Sequence, residues 1–445
     1  MKQKILTTIL LTALSVSATF SQSLNKPKLD SLFNILAEKN KAMGCLAISK
    51  KGTVIYSKAI GYSYISDTQK IQATEKTRYR IGSISKMFTA TMILQLVDEG
   101  KLTLTTTVDN FYPGIPNANK ITMSNLLNHR SGLHNITDDS TYTSYMTQPK
   151  THDEMLAIIA KSGIDFKPDE KFAYSNPNYI ILGYIIEKIC NKPYKDVLNE
   201  RIISKVALTN TYYGDKINVK NNESFSYLYT TKWEQQPETD MSIPGGAGAI
   251  VSTPADLTGF IEGLFSLKLV SQNSLDMMKT MIDGYGMGMY KIPFFTRMAY
   301  GHNGGIDGFE SVLAYFPEDS LAIAYCSNVT VYPLNSILIG ILNICFNKDY
   351  TIPTFTKSAI MLKKEDMDKY LGVYSSTQLP LKISITKDDT KLIAQATGQS
   401  SFPLEPTEKD KFQFEQAGIV MEFNPAKNEM ILKQAGGRFI FTKEK

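Results

Sequence analysis

Strand-like runs on either side of a helical middle constrain the fold of this 445-residue chain more than any other feature. Cys45–Ser49 and Thr53–Ala59 are β-rich and are separated by Lys50-Lys51-Gly52, a hairpin signal in which glycine supplies the turn. The β pattern returns from Ala299, where Glu310–Phe316 and Leu321–Ser327 flank Pro317-Glu318-Asp319-Ser320 as a second hairpin. Between them, Ser83–Gly100 reads as a core helix with Ser83 able to cap its start. Ile84, Met87, Phe88, Ile93, Leu94 and Val97 give it a broad apolar face. Further helices are predicted over Thr122–Gly132, from Asn176-Pro177 (proline behind an asparagine cap), over Ser252–Phe265 and over Ile337–Phe346. One antiparallel sheet fed from both directions, flanked by helices and carrying a helical lobe, is an α+β arrangement rather than an alternating βαβ one.

A polar, basic stretch around Pro353 ends this unit. The expected layout is a domain over 25–350, a linker over 351–364 and a small β domain over 365–445. Period-two runs such as Leu381/Ile383/Ile385, Ile419/Met421/Phe423 and Phe439/Phe441 predict an antiparallel sandwich or barrel there. At the other end, basic Met1–Lys4, apolar Ile5–Phe20 and small Thr19 and Ser21 predict a signal peptide over 1–21. Its apolar run is short for a bilayer core of about 30 Å. The expectation is an exported protein, periplasmic or extracellular, without a stable membrane anchor.

A net charge of +5 with no basic stripe excludes nucleic acid as a natural partner. Cys45, Cys190, Cys326 and Cys345 match neither a zinc site nor a redox pair. Buried thiols and a Cys45–Cys326 bridge both stay open in an oxidising compartment. No metal or cofactor is expected. His129 and His134, the one close histidine pair, lack the context of a zinc hydrolase. Gly61-Tyr62-Ser63-Tyr64-Ile65 fails the G-x-S-x-G pattern at its last position.

Three short segments carry chemistry. Ser83-Ile84-Ser85-Lys86 puts a hydroxyl and an amine one helical turn apart, and burial can free the amine of its charge so that it takes the serine proton. Tyr174-Ser175-Asn176 offers a phenol and an amide just before a helix. Gly301-His302-Asn303-Gly304-Gly305 places an imidazole where a strand meets a loop.

In this order the segments resemble the serine β-lactamase and penicillin-binding-protein superfamily, specifically its class C-related branch. The likeness includes Tyr79–Thr89 around S-x-x-K, Leu126–Leu133, and Gly246–Leu257, and it spans about Cys45 to Asn343. It implies a β-lactamase/transpeptidase-like fold and an acyl-enzyme hydrolase without cofactor. Ser83 would be the nucleophile, with Lys86 and Tyr174 sharing the base role. Tyr174 would be a phenolate candidate if Lys86 and His302 lower its pKa. Ser83 and Gly305 amides would form the oxyanion hole. Asn176, Asn303 and Gly304 would meet the substrate, and His302 would stand on an edge strand facing Ser83. His302 replaces the lysine of the family's K-T-G element, so a permanent cation becomes a titratable one. The resemblance therefore implies a D-Ala-D-Ala carboxypeptidase- or D-aminopeptidase-type peptidase or esterase acting on a small or peptide substrate, for example cell-wall peptide. A class C-like β-lactamase and a non-hydrolytic wall-peptide or β-lactam binder are the alternatives. Substrate choice is expected from Asn135–Lys150 and Asn221–Pro244, with Phe225–Trp233 either an aromatic wall or packing.

Overall fold

The computed structural model describes residues 24–355, 363–388, 391–399, 401–414, 418–434 and 437–444. The expected signal segment and the middle of the expected linker lie outside them. Strands β1 (Ala42–Lys50) and β2 (Thr53–Ile60) form the first hairpin. Its two loop residues, Lys51 and Gly52, have φ of 54° and 79°. That is the twist-matched turn that favours glycine second. β3 (Tyr290–Phe294), β4 (Arg297–Ile306), β5 (Phe309–Phe316) and β6 (Leu321–Thr330) complete a six-stranded antiparallel sheet in the order β3-β4-β5-β6-β1-β2. β6 therefore pairs with β1, joining strands that lie far apart in sequence, as the two-sided pattern predicts.

Every residue of β1 except Lys50 is buried, because both faces of the sheet are covered. On one face α1 (Lys26–Glu38) and α6 (Leu334–Cys345) pack on Leu46, Ile48, Tyr325 and Ile323. On the other lies the larger core, built around α2 (Ser85–Asp98), α4 (Asn176–Cys190) and α5 (Pro254–Phe265). Cys45 and Cys326 are directly paired across β1 and β6, buried, and present as free thiols.

Three local expectations shift. Ser83 does not cap α2; it lies in a 3₁₀ turn, Gly82–Ile84, that leads into the helix without a side-chain cap. The helix expected over Thr122–Gly132 is only α3 (Met123–Leu127), capped by Thr122. Beyond it the chain turns through His129 and Gly132, both at positive φ. α4 begins at Asn176 itself, with Ser175 as its flanking residue.

From Gly372 onward, eight strands from Gly372–Ser375 to Gly437–Lys443 form a closed antiparallel barrel, the first pairing with the last. It has its own core of Tyr374, Ile385, Leu392, Phe412, Met430 and Phe441. Among the described residues, no helix is long and apolar enough to cross a membrane.

Candidate active site

α2 is buried on nearly every side, and this fixes the state of its one lysine. Lys86 has no exposed surface. Its amine contacts Ser83 Oγ at 3.0 Å, Asn176 Oδ1 at 2.8 Å and the Ala247 carbonyl at 2.9 Å. It has no carboxylate partner in the salt bridges of the described residues. Burial holds its pKa well below the usual lysine value. The S-x-x-K spacing thus delivers contact even through a 3₁₀–α junction.

Tyr174 neighbours Ser83, and Lys86 Nζ lies 4.8 Å from its ring centre. Burial raises the phenol above its ordinary pKa, and the nearby Ser83 hydroxyl only partly opposes this. The expected lowering toward phenolate does not occur. Asn176 accepts from Lys86, and its Nδ2 donates to Asn135 Oδ1 (3.2 Å) and Thr137 Oγ1 (3.3 Å).

His302 is placed differently from expectation. β4 is not an edge strand throughout, because β3 pairs with Arg297–Gly301; from His302 onward that side is free. His302 is buried, its Nε2 2.9 Å from the Tyr285 hydroxyl, while Nδ1 meets the Asn303 carbonyl. Burial is the main cause that pushes its pKa down to about 3. The imidazole is therefore neutral in the working range, and the expected titratable cation is absent. The Asn303 amide N–H donates to the Tyr290 hydroxyl. Gly304 serves close approach: a Cβ there would lie 1.9 Å from the Ile81 carbonyl oxygen, just before the Ser83 turn.

A cavity of about 650 Å³ opens in front of Ser83. Ser83, Asn176 and Gly305 line it; Tyr174, His302, Asn303 and Gly304 do not. Both loops expected to select substrate contribute, through Ile136, Thr137, Tyr142 and Met146 and through Tyr227, Gln236, Thr239 and Ile243. Of the aromatic stretch, Tyr227 and Leu228 reach the wall, whereas Phe225, Tyr229 and Trp233 pack against a small cluster of Met43, Tyr227 and Val329. Arg80 locks the two sides together. Its guanidinium bonds Asp307 Oδ2 (2.9 Å), the Thr239 carbonyl (2.8 Å) and Glu238 Oε2 (3.2 Å). Tyr285 lies outside every segment named from sequence, and Arg80, Ala247 and Asn135 lie inside such segments without a role of their own. Each acts through a long-range contact.

The family known as Beta-lactamase matches residues 32–336. The chain belongs to the beta-lactamase family. Two curated relatives are similar over long stretches. Penicillin-binding protein 4* of Bacillus subtilis is 24% identical over 432 residues, 90% of this chain and 94% of that protein. The teichoic acid D-alanine hydrolase of Staphylococcus aureus is 27% identical, covering 64% of this chain and 70% of its own. The crystal structure of D-amino acid amidase from Ochrobactrum anthropi SV3 superposes with a TM-score of 0.58 at 27% identity, covering 67% of this chain and 93% of that one. Family and relatives together make this chain a serine hydrolase.

Proposed function

We propose that the chain is an exported hydrolase that cleaves uncharged or ammonium-bearing D-aminoacyl esters or amides through an acyl-enzyme on Ser83. The observation that carries this reading is the pairing of Ser83 with a fully buried Lys86, whose charged form burial disfavours, beside a cavity whose described lining holds no Lys, Arg or His. A neutral amine has two N–H groups and one lone pair. The Asn176 and Ala247 oxygens are acceptors only and take both N–H groups. The lone pair is left for the Ser83 hydroxyl, which is the geometry of a general base.

In the proposed mechanism Ser83 Oγ attacks the acyl carbon as its proton passes to Lys86 Nζ. The oxyanion is held by the backbone N–H groups of Ser83 and Gly305. Tyr174, a neutral phenol, relays the proton to the leaving oxygen or nitrogen, and water then reverses the sequence on the acyl-enzyme. A carboxylate-bearing substrate finds no counter-charge: the charged lining residues, Asp307 and Glu310, are acidic, and Asp307 is paired with Arg80. The similarity to a D-alanine hydrolase and a D-amino acid amidase supports the D-aminoacyl class.

The test is a panel of purified-enzyme rates on D-alanine p-nitroanilide, D-phenylalanine amide, short p-nitrophenyl esters, an N-acyl D-Ala-D-Ala peptide and nitrocefin. The D-aminoacyl and ester substrates are expected to exceed the two carboxylates in kcat/KM by about tenfold or more. Preference for the peptide or nitrocefin would overturn the reading.

A further inference from the structure

His129 has no place in the chemistry above, yet it grips the catalytic tyrosine from both sides. It is fully buried, at φ 54°, in the turn after α3. Its carbonyl accepts the Ala173 N–H at 3.0 Å, and its Nδ1 accepts the Ser175 N–H at 3.1 Å. The residue between those two anchors is Tyr174, whose ring lies over the imidazole with centroids 4.3 Å apart. Positive φ lets one residue present carbonyl and ring to the same three-residue stretch. Histidine tolerates that conformation better than most side chains.

The tautomer follows from the neighbours. Asn178 Oδ1 accepts from Ser131 Oγ at 2.5 Å, which turns Nδ2 toward His129 Nδ1 at 3.1 Å. Nδ1 thus faces two donors and carries no proton. Nε2–H has no hydrogen-bond partner among the described residues, and the imidazole centroid lies 5.2 and 4.8 Å from the ring centroids of Tyr179 and Tyr285. The titratable groups around the ring are Lys86 from α2, His302 from β4, and Tyr174, Tyr179 and Tyr285. Among these there is no carboxylate to favour imidazolium, and burial holds the ring neutral.

We propose that His129 is the positioning residue of Tyr174, fixing the phenol against Ser83 through its two backbone anchors and its tilted, closely packed ring. This rests on the acyl-enzyme reading above, in which Tyr174 moves the leaving-group proton. Neither His129 nor Tyr174 lines the cavity, so the loss belongs in turnover rather than in substrate affinity.

The experiment is a double-mutant cycle in the full chain, reading kcat and KM on D-alanine p-nitroanilide. His129→Phe keeps a ring and removes the acceptor; it is expected to lower kcat about hundredfold, with KM held within about threefold. His129→Asn restores an acceptor near the Nδ1 position and tolerates positive φ, so it should recover about tenfold of that loss. On a Tyr174→Phe background, His129→Phe should add almost nothing, because its effect runs through the phenol. A full additional loss in the double variant, a loss confined to KM, or no recovery with His129→Asn would each overturn the proposal. If His129→Phe does not fold, the same cycle run with His129→Asn decides. Wild-type activity in Tyr174→Phe alone would instead overturn the mechanism on which the proposal rests.

Discussion

At the scale of single residues, the proposed chemistry turns on one amine whose charged form burial disfavours. Lys86 is held by two obligate acceptors and touches Ser83, so in the proposed mechanism it serves in its neutral rather than its cationic form. Lys86→Arg separates the two roles, since guanidinium keeps its donors but does not deprotonate in proteins. That variant should lose about 10²–10⁴ in kcat/KM, the contribution expected of a general base. Steady-state kinetics on an activated ester measures it, and retention of more than about a tenth of activity would show that charge suffices. Ser83, Lys86, Tyr174 and Asn176 were legible because each belongs to a short motif whose spacing survives folding. His302 was legible as a residue but not in its state. Whether an imidazole is a cation depends on burial, and burial comes from Tyr285 and Tyr290 packing around it.

At the scale of elements, the site is where a 3₁₀ turn meets the free part of a strand. Gly304 on β4 touches the Ile81 carbonyl, and Gly82 lies against the Gly305 backbone: a Cβ on Gly82 would come within 2.8 Å of the Gly305 nitrogen. Gly304→Ala forces the strand and the Ser83 turn apart, because the clash is with backbone rather than with a flexible side chain. A displacement of about 1 Å at this position should cost about hundredfold in kcat/KM. Circular dichroism should show the fold retained; full activity in a folded Gly304→Ala protein would contradict the account. Element type was read correctly wherever periodicity was strong, as in α2 and the two hairpins. Boundaries failed where the chain changed helix type at Gly82–Ile84, or left helix early through the positive-φ turn at His129. Local apolar spacing carries no signal for either event. In the barrel, Phe402–Glu408 escaped notice because Pro403 and Pro406 interrupt its period-two pattern.

At the scale of the whole molecule, one sheet with two covered faces and a separate barrel set the stability, and two buried neutral histidines contribute to its pH dependence below about 6.5. An unfolded histidine titrates near 6.5, whereas folded His302 does so at about 3 and His129 well below its ordinary value. Between those values the unfolded chain binds protons that the folded chain refuses, so stability rises with pH across that window. It is present in full above about 6.5 and is lost as pH falls. Thermal unfolding should show Tm dropping already between pH 6.5 and 5, above the range of ordinary carboxylates. The limiting slope is about 1.4 kcal/mol per pH unit for each histidine. A flat Tm across that interval would show that the imidazoles are not held neutral. The central claim is that Ser83 is the nucleophile, and trapping the covalent enzyme tests it most directly. Intact-mass analysis with peptide mapping after fluorophosphonate treatment should show one adduct on the peptide containing Ser83, and none in Ser83→Ala. An adduct of undiminished yield in Ser83→Ala, or one mapped to another residue, would contradict the account.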